Sequence, residues 1–183
     1  MLKDPEIVCQ STERVSVNKP ILITMSRMMD NRGYFQKILS PIKLRELGIE
    51  EFPASEMFTT VTRQNGIRGM HIQVSPCASR KLIWVSQGEI LDVLVDIGSK
   101  EVFTFDLNEN DENLVYVPRN FAHGFQVLSS SATVNYLTDK VYCEECDLGF
   151  NPLTFNFEWP RPLSVISNRD RNLPCFEDFR AIN

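Results

Sequence analysis

The feature that most restricts the fold is a rhythm of ten short segments, each rich in β-branched or aromatic residues and each closed off by turn-forming residues. They are Pro20–Met25, Tyr34–Leu39, Glu56–Thr62, Ile67–Gln73, Lys81–Ser86, Glu89–Ile97, Glu101–Leu107, Leu114–Pro118, Gly124–Leu128 and Thr133–Leu137. Each has strand length and strand composition. Many short strands in succession predict an all-β sandwich or barrel. Ser86-Gln87-Gly88-Glu89, Gly98-Ser99-Lys100 and Ser129-Ser130-Ser131 supply hairpin turns. One helix is expected at Pro41–Leu47, where Ser40 caps, Pro41 suits the first turn and Gly48 the end. From Arg161 onward the chain predicts a loop and then a short helix. With no internal repeat and no shift of composition, all 183 residues are expected to form a single domain, 1–183.

The composition, 43% hydrophobic and 23% charged, is that of an ordinary globular chain, and no apolar run is long enough to cross a bilayer. Met1–Gln10 lacks the basic-then-apolar order of an export signal, so a cytoplasmic protein is expected. The net charge of -5 comes without a basic stripe, which argues against nucleic acid as a partner. A small anion remains acceptable, because two or three well-placed Arg or Lys side chains suffice to hold it. Cys9, Cys77, Cys143, Cys146 and Cys175 form an odd set, so reduced thiols are expected rather than a disulfide framework. Cys143 and Cys146 make a C-x-x-C with no second such pair, and read as two thiols in a loop in preference to zinc or redox chemistry.

The chain has two histidines, His71 and His123. By strand alternation His71 shares a face with Gln73 and Gly69, while Arg68 falls on the other face or at the strand's mouth. Small barrels of this rhythm often hold a metal through His-x-His, a carboxylate and a further His, but here the second position is Gln73 and the carboxylate region carries Arg80-Lys81. No metal is therefore expected in the barrel. The histidines turn instead toward proton transfer, which suits imidazole with its ordinary pKa of ~6.5. A proton removed from carbon leaves charge that must settle on an oxygen beside a fixed cation; Lys81, at the head of Leu82-Ile83-Trp84-Val85, can supply it. Tyr136, on one face with Val134, is a candidate acid for the opposite side of the carbon. Asp170 can fix the His71 tautomer. Each has a plainer reading as a structural histidine, a strand-edge lysine, a core tyrosine or a loop aspartate.

In order along the chain, these segments resemble the dTDP-4-dehydrorhamnose 3,5-epimerase family of the cupins. Asp30-Asn31-Arg32-Gly33-Tyr34-Phe35 is similar to the family's D-x-R-G-x-F, and Ile67-Arg68-Gly69-Met70-His71-Ile72-Gln73 to its L-R-G-L-H-x-Q. Lys81-Leu82-Ile83, Gly88 to Val93 and Val95-Asp96-Ile97 follow at the family's spacing. Pro118 to Phe125 is similar to P-x-G-F-A-H-G-F, Tyr136 to the family's tyrosine, Trp159-Pro160 to its W-P, and Ser167 to Asp170 to its S-x-x-D. The resemblance implies a cupin jelly-roll barrel with a few short peripheral helices, working without cofactor or metal. It implies an epimerase acting at C3, C5 or both of a nucleotide-linked 4-keto-6-deoxyhexose, in deoxysugar synthesis for O-antigen or another polysaccharide.

By the same resemblance His71 is the base held by Asp170, Lys81 stabilises the enolate, and Tyr136 is the acid. His123 and Gln73 line the sugar pocket, and Arg68 and Arg32 hold the diphosphate, Arg32 from the neighbouring subunit of a homodimer that exchanges N-terminal strands. Lys37 stands where the family has Glu, Gly98 where it has Arg, and Thr59–Asn65 and Gly98–Pro118 are shorter than in typical members. Thymine and cytosine are both open as the base. A silent sugar-nucleotide-binding barrel and a 3,4-ketoisomerase are the alternatives.

Overall fold

A computed structural model describes residues 18–49, 51–163 and 165–179; Met1–Gln10 and Cys9, considered above, lie outside them. Five strands, β1 (Ile21–Thr24), β4 (Glu56–Arg63), β6 (Lys81–Gln87), β9 (Asn113–Val117) and β11 (Ser131–Thr138), form one sheet in the order β1-β9-β6-β11-β4. The second sheet runs β12-β5-β10-β7-β8, from β12 (Asp147–Gly149), β5 (Gly66–Gln73), β10 (Phe121–Val127), β7 (Glu89–Asp96) and β8 (Val102–Asn108). A two-residue strand, β13 (Val165–Ile166), adds to β5 in parallel, and β2 (Arg27–Asp30) and β3 (Gly33–Gln36) form a separate hairpin. The two antiparallel sheets make the jelly roll that the strand rhythm and the resemblance lead one to expect. No helix among the described residues is long and apolar enough to cross a membrane.

The central strands are buried on both faces, which is why they read as near-continuous apolar runs. In β6, Ile83 and Val85 point into the barrel and Leu82 packs on the outside. In β7, Ile90 and Leu94 point in, while Val93 and Val95 face an outer layer with Phe150, Phe155 and Phe179. The outer face of the first sheet is covered by the segment around α1 (Pro41–Glu46), which buries Leu44 beside Ile49, Ile23 and Tyr116. Ser40 caps α1 through its side chain, and Gly48 at φ +79° ends the segment, as the sequence predicts. The second short helix, α2 (Asn168–Arg171), is capped by Ser167.

The ten expected strands are present, with β3 shorter than predicted and β10 starting earlier, at Phe121. Strands β2, β12 and β13 were not foreseen; each exists through its pairing rather than its composition. The alternation expected along β5 also needs correction. His123 pairs with His71 and Phe125 with Arg68, so three steps on β5 match two on β10. The extra residue is a β-bulge, and it reverses side-chain parity so that Arg68 and His71 face the same side. The bulge lies at Gly69, whose φ is +130°; a Cβ there would sit 2.6 Å from Gly124 Cα.

Candidate active site

Inward-facing polar side chains gather at one end of the barrel around a cavity of about 490 Å³. Strand β5 supplies Arg68, His71 and Gln73, β6 Lys81, β10 His123, and β11 Tyr136; Asp170 arrives from α2. The structure therefore brings together every sequence-predicted site residue except Arg32. That side chain is 86% exposed in the β2–β3 turn, paired with Asp30 at 2.6 Å, and does not line its own chain's cavity.

Asp170 is delivered through a gap in hydrogen bonding. On the outer edge of β5, β12 pairs with Ile72 and its neighbours, β13 pairs with Gly66 and Ile67, and Gly69 between them is left without a strand partner on that side. Asp170 Oδ2 accepts from the Gly69 N–H at 3.3 Å, and Oδ1 lies 2.8 Å from His71 Nε2. Burial pushes the Asp170 carboxyl up, but the His71 ring, the Gly69 N–H and Ser167 outweigh it and hold its pKa below the usual value. Facing a carboxylate, Nε2 carries the ring proton of neutral His71, which leaves the lone pair on Nδ1.

A second histidine–carboxylate pair is present that sequence reasoning did not name. His123 Nε2 lies 2.6 Å from Asp92 Oδ1, with both side chains buried. Among the described residues Asp92 Oδ2 has no hydrogen-bond partner. The signal was available: Asp92 is the charged member of the inward set Ile90, Asp92, Leu94, mid-strand and buried, whereas the other charges of β7, Glu89 and Asp96, stand at its ends. Burial pushes the Lys81 ammonium below the ordinary lysine range, and the charges of Asp147 and Asp92 oppose that shift.

Tyr136 stacks on Phe58 at 4.6 Å between centroids and meets the His123 ring edge-on at 5.8 Å. Burial and then the Asp92 charge raise its pKa, so its hydroxyl keeps its proton across the physiological range. Arg68 donates from Nε to Thr62 Oγ1 at 2.7 Å. The Gln73 amide is committed to backbone: Nε2 donates to Cys77 O at 3.1 Å and Oε1 accepts from Cys143 N at 2.7 Å. At the mouth Arg169 pairs with Asp147 at 2.5 Å. Arg80, the cation weighed against a metal, instead bonds Asp139 at 2.6 Å and does not line the cavity. The arrangement sets an imidazole of fixed tautomer, a protonated phenol and an ammonium around one space, which suits removal and return of a carbon-bound proton.

The profile of the family described as dTDP-4-dehydrorhamnose 3,5-epimerase matches residues 14–178. The dTDP-4-dehydrorhamnose 3,5-epimerase of Escherichia coli K12 is 31% identical over 165 residues, covering 84% of this chain and 88% of that one. The dTDP-4-dehydrorhamnose 3-epimerase of Streptomyces niveus is 26% identical over 157 residues, or 82% of this chain and 76% of that one. Among solved structures, the dTDP-4-dehydrorhamnose 3,5-epimerase of Bacillus anthracis, with TDP and pyrophosphate bound, superposes with a TM-score of 0.84 at 29% identity, covering 93% of this chain and 99% of that one. Profile, sequence relatives and fold converge on one assignment: the chain belongs to the dTDP-4-dehydrorhamnose 3,5-epimerase family, a family of isomerases.

Proposed function

We propose that this chain, working as a single domain in the cytoplasm, inverts C3, C5 or both of a dTDP- or CDP-linked 4-keto-6-deoxyhexose. The observation that carries the reading is the His71–Asp170 pair, 2.8 Å apart, on the same cavity as Lys81 and Tyr136. His71 Nδ1 takes the proton next to the ketone. The electrons move onto the carbonyl oxygen, where the Lys81 ammonium stabilises the enolate. Tyr136 then gives its proton to the opposite face of the carbon. No redox partner is consumed, since the proton lost on one face is replaced on the other. Arg68, His123 and Gln73 belong to the substrate-binding wall in this reading, with Asp92 holding the His123 ring.

The homodimer is part of the same proposal. Its support is the apolar side chains left in water: Met29, Tyr34 and Phe35 on the β2–β3 hairpin, and Met57 and Val61 on the edge strand β4. Arg32, at the tip of that hairpin, would reach the partner's cavity and its diphosphate. Mixing Arg32→Ala with His71→Ala subunits then restores activity, because the His71-bearing site receives an intact Arg32 across the interface. If Arg32 acts within its own chain, mixing restores nothing.

The deciding experiment is proton NMR of dTDP- and CDP-4-keto-6-deoxyglucose with the enzyme in D2O. Loss of signal at C3 and C5 is the signature of a 3,5-epimerase, and loss at one carbon that of a mono-epimerase. His71→Ala should abolish the exchange while the protein stays folded. Exchange at neither carbon with wild-type protein would overturn the proposal in favour of a silent binding barrel. A carbonyl moved to C3 would favour a ketoisomerase.

A further inference from the structure

A thiol distant in the sequence, Cys77, meets the C-x-x-C pair Cys143 and Cys146 behind Gln73. Strand β12 runs antiparallel on β5 with Asp147 opposite Gln73, so the residues following β5 and those preceding β12 must share one end of the pair. Cys77 closes the turn after β5, its N–H donating to Val74 O at 3.0 Å. Cys143 and Cys146 flank the tight turn before β12, with Cys146 N bonded to Cys143 O at 3.1 Å and Val74 N to Cys146 O at 2.9 Å. The Gln73 amide ties the two turns together through Cys77 O and Cys143 N. Backbone pairing and the Gln73 amide thus bring the three cysteines to one place.

Their sulfur atoms lie within 4.8 Å of one another. A tetrahedral zinc ion with Zn–S bonds of ~2.3 Å needs sulfurs about 3.8 Å apart, so a contraction of no more than ~1 Å closes the set. A carboxylate oxygen of the exposed Glu145 is 3.3 Å from Cys143 Sγ but lies outside the set within 4.8 Å, so a side-chain rotation is needed to bring it in as the fourth donor. Cys146 is 6% exposed within the outer apolar layer, and Cys77 and Cys143 are half-buried at its edge. A disulfide would use two of these sulfurs and leave the third idle. A soft cation uses all three.

We propose that Cys77, Cys143 and Cys146 bind a structural zinc ion, with Glu145 completing the tetrahedron. Binding releases three thiol protons and yields a site of net charge −2, the same as four thiolates around zinc. The ion clamps the turn after β5 to the turn before β12 and so holds Gln73 in place from outside the cavity. This assignment is independent of the epimerase chemistry.

The test uses the full chain kept reduced, incubated with excess zinc, desalted, and measured by plasma mass spectrometry, with cobalt(II) as a spectroscopic substitute. Wild type and Cys175→Ser should hold one ion per chain, and Cys77→Ser and Cys146→Ser almost none. Cobalt should give sulfur-to-metal charge-transfer bands with strong tetrahedral d–d bands. Zinc at 100–1,000 times its dissociation constant should raise Tm by about 5–15 °C. Wild type that retains no ion, or Cys77→Ser that retains a full one, overturns the proposal. Should the variants not fold, a wild-type cobalt spectrum without sulfur charge transfer does the same.

Discussion

Asp170→Asn isolates what the carboxylate does for His71, because it changes the charge and one donor while preserving the shape. The Gly69 N–H can only donate, so the Asn carbonyl oxygen takes the place of Oδ2 opposite it, 3.3 Å away. The amide NH₂ must then face His71 Nε2 at the 2.8 Å contact, and Nε2 becomes an acceptor. The ring proton moves to Nδ1, and the base has no lone pair for the substrate. Restoring the productive tautomer leaves one of the two contacts donor-to-donor, with two N–H groups unsatisfied at about 1–3 kcal/mol each. At ~1.4 kcal/mol per decade, kcat should fall by roughly 1.5 to 4 decades, with KM moving less than about threefold. The assay is steady-state kinetics alongside deuterium incorporation at C3 and C5, with thermal melts to confirm the fold. A kcat within about threefold of wild type would refute the claim that Asp170 sets the tautomer.

Gly69→Ala should place a Cβ 2.6 Å from Gly124 Cα at φ +130°. Strain and overpacking of about 2–6 kcal/mol together should lower Tm by roughly 5–20 °C; an unchanged melt would mean that the bulge does not need glycine. Tyr136→Phe should leave deuterium exchange at one carbon intact while inversion falls, since abstraction does not use the opposite-face donor; an unchanged product yield removes Tyr136 from the mechanism. Burial lowers the Lys81 pKa from 10.5, so kcat/KM should decline at a pH below 10.5 as the ammonium is lost. A pH profile that stays flat to 10.5 would contradict that role. Asp170, held below 3.8, should contribute stability that is present above pH 3.8 and lost as pH falls through its lower folded value. Asp170→Asn should therefore melt with a weaker acid limb than wild type.

Most of the barrel was legible because two-sided burial writes itself as dense apolar runs such as Leu82-Ile83-Trp84-Val85. Strand β2, Arg-Met-Met-Asp, carries no such signal, and β12 and β13 are edges that exist only because β5 is there to pair with them. Alternation put Val134 and Tyr136 on one face, which is the inner one, but failed for Arg68, since one residue of bulge inverts parity and Gly69 is the sequence trace of it. Asp92 could have been found from its place among inward apolar neighbours. The approach of Cys77 to the C-x-x-C could not, because it follows from the register of β12 on β5.

The split edge of β5 also sets a schedule for the growing polypeptide. Asp170 lies 99 residues downstream of His71. At translation rates of ~5–20 residues per second, the histidine leaves the ribosome about 5–20 s before its carboxylate partner. During that interval the Gly69 amide has no Asp170 to accept from it, and an imidazole with an unfixed tautomer stands in a half-built barrel. A nascent chain can thus hold its walls and the His71 ring before the carboxylate that fixes the ring's tautomer arrives with the segment from Val165 to Arg171, so on the proposed mechanism competence comes late.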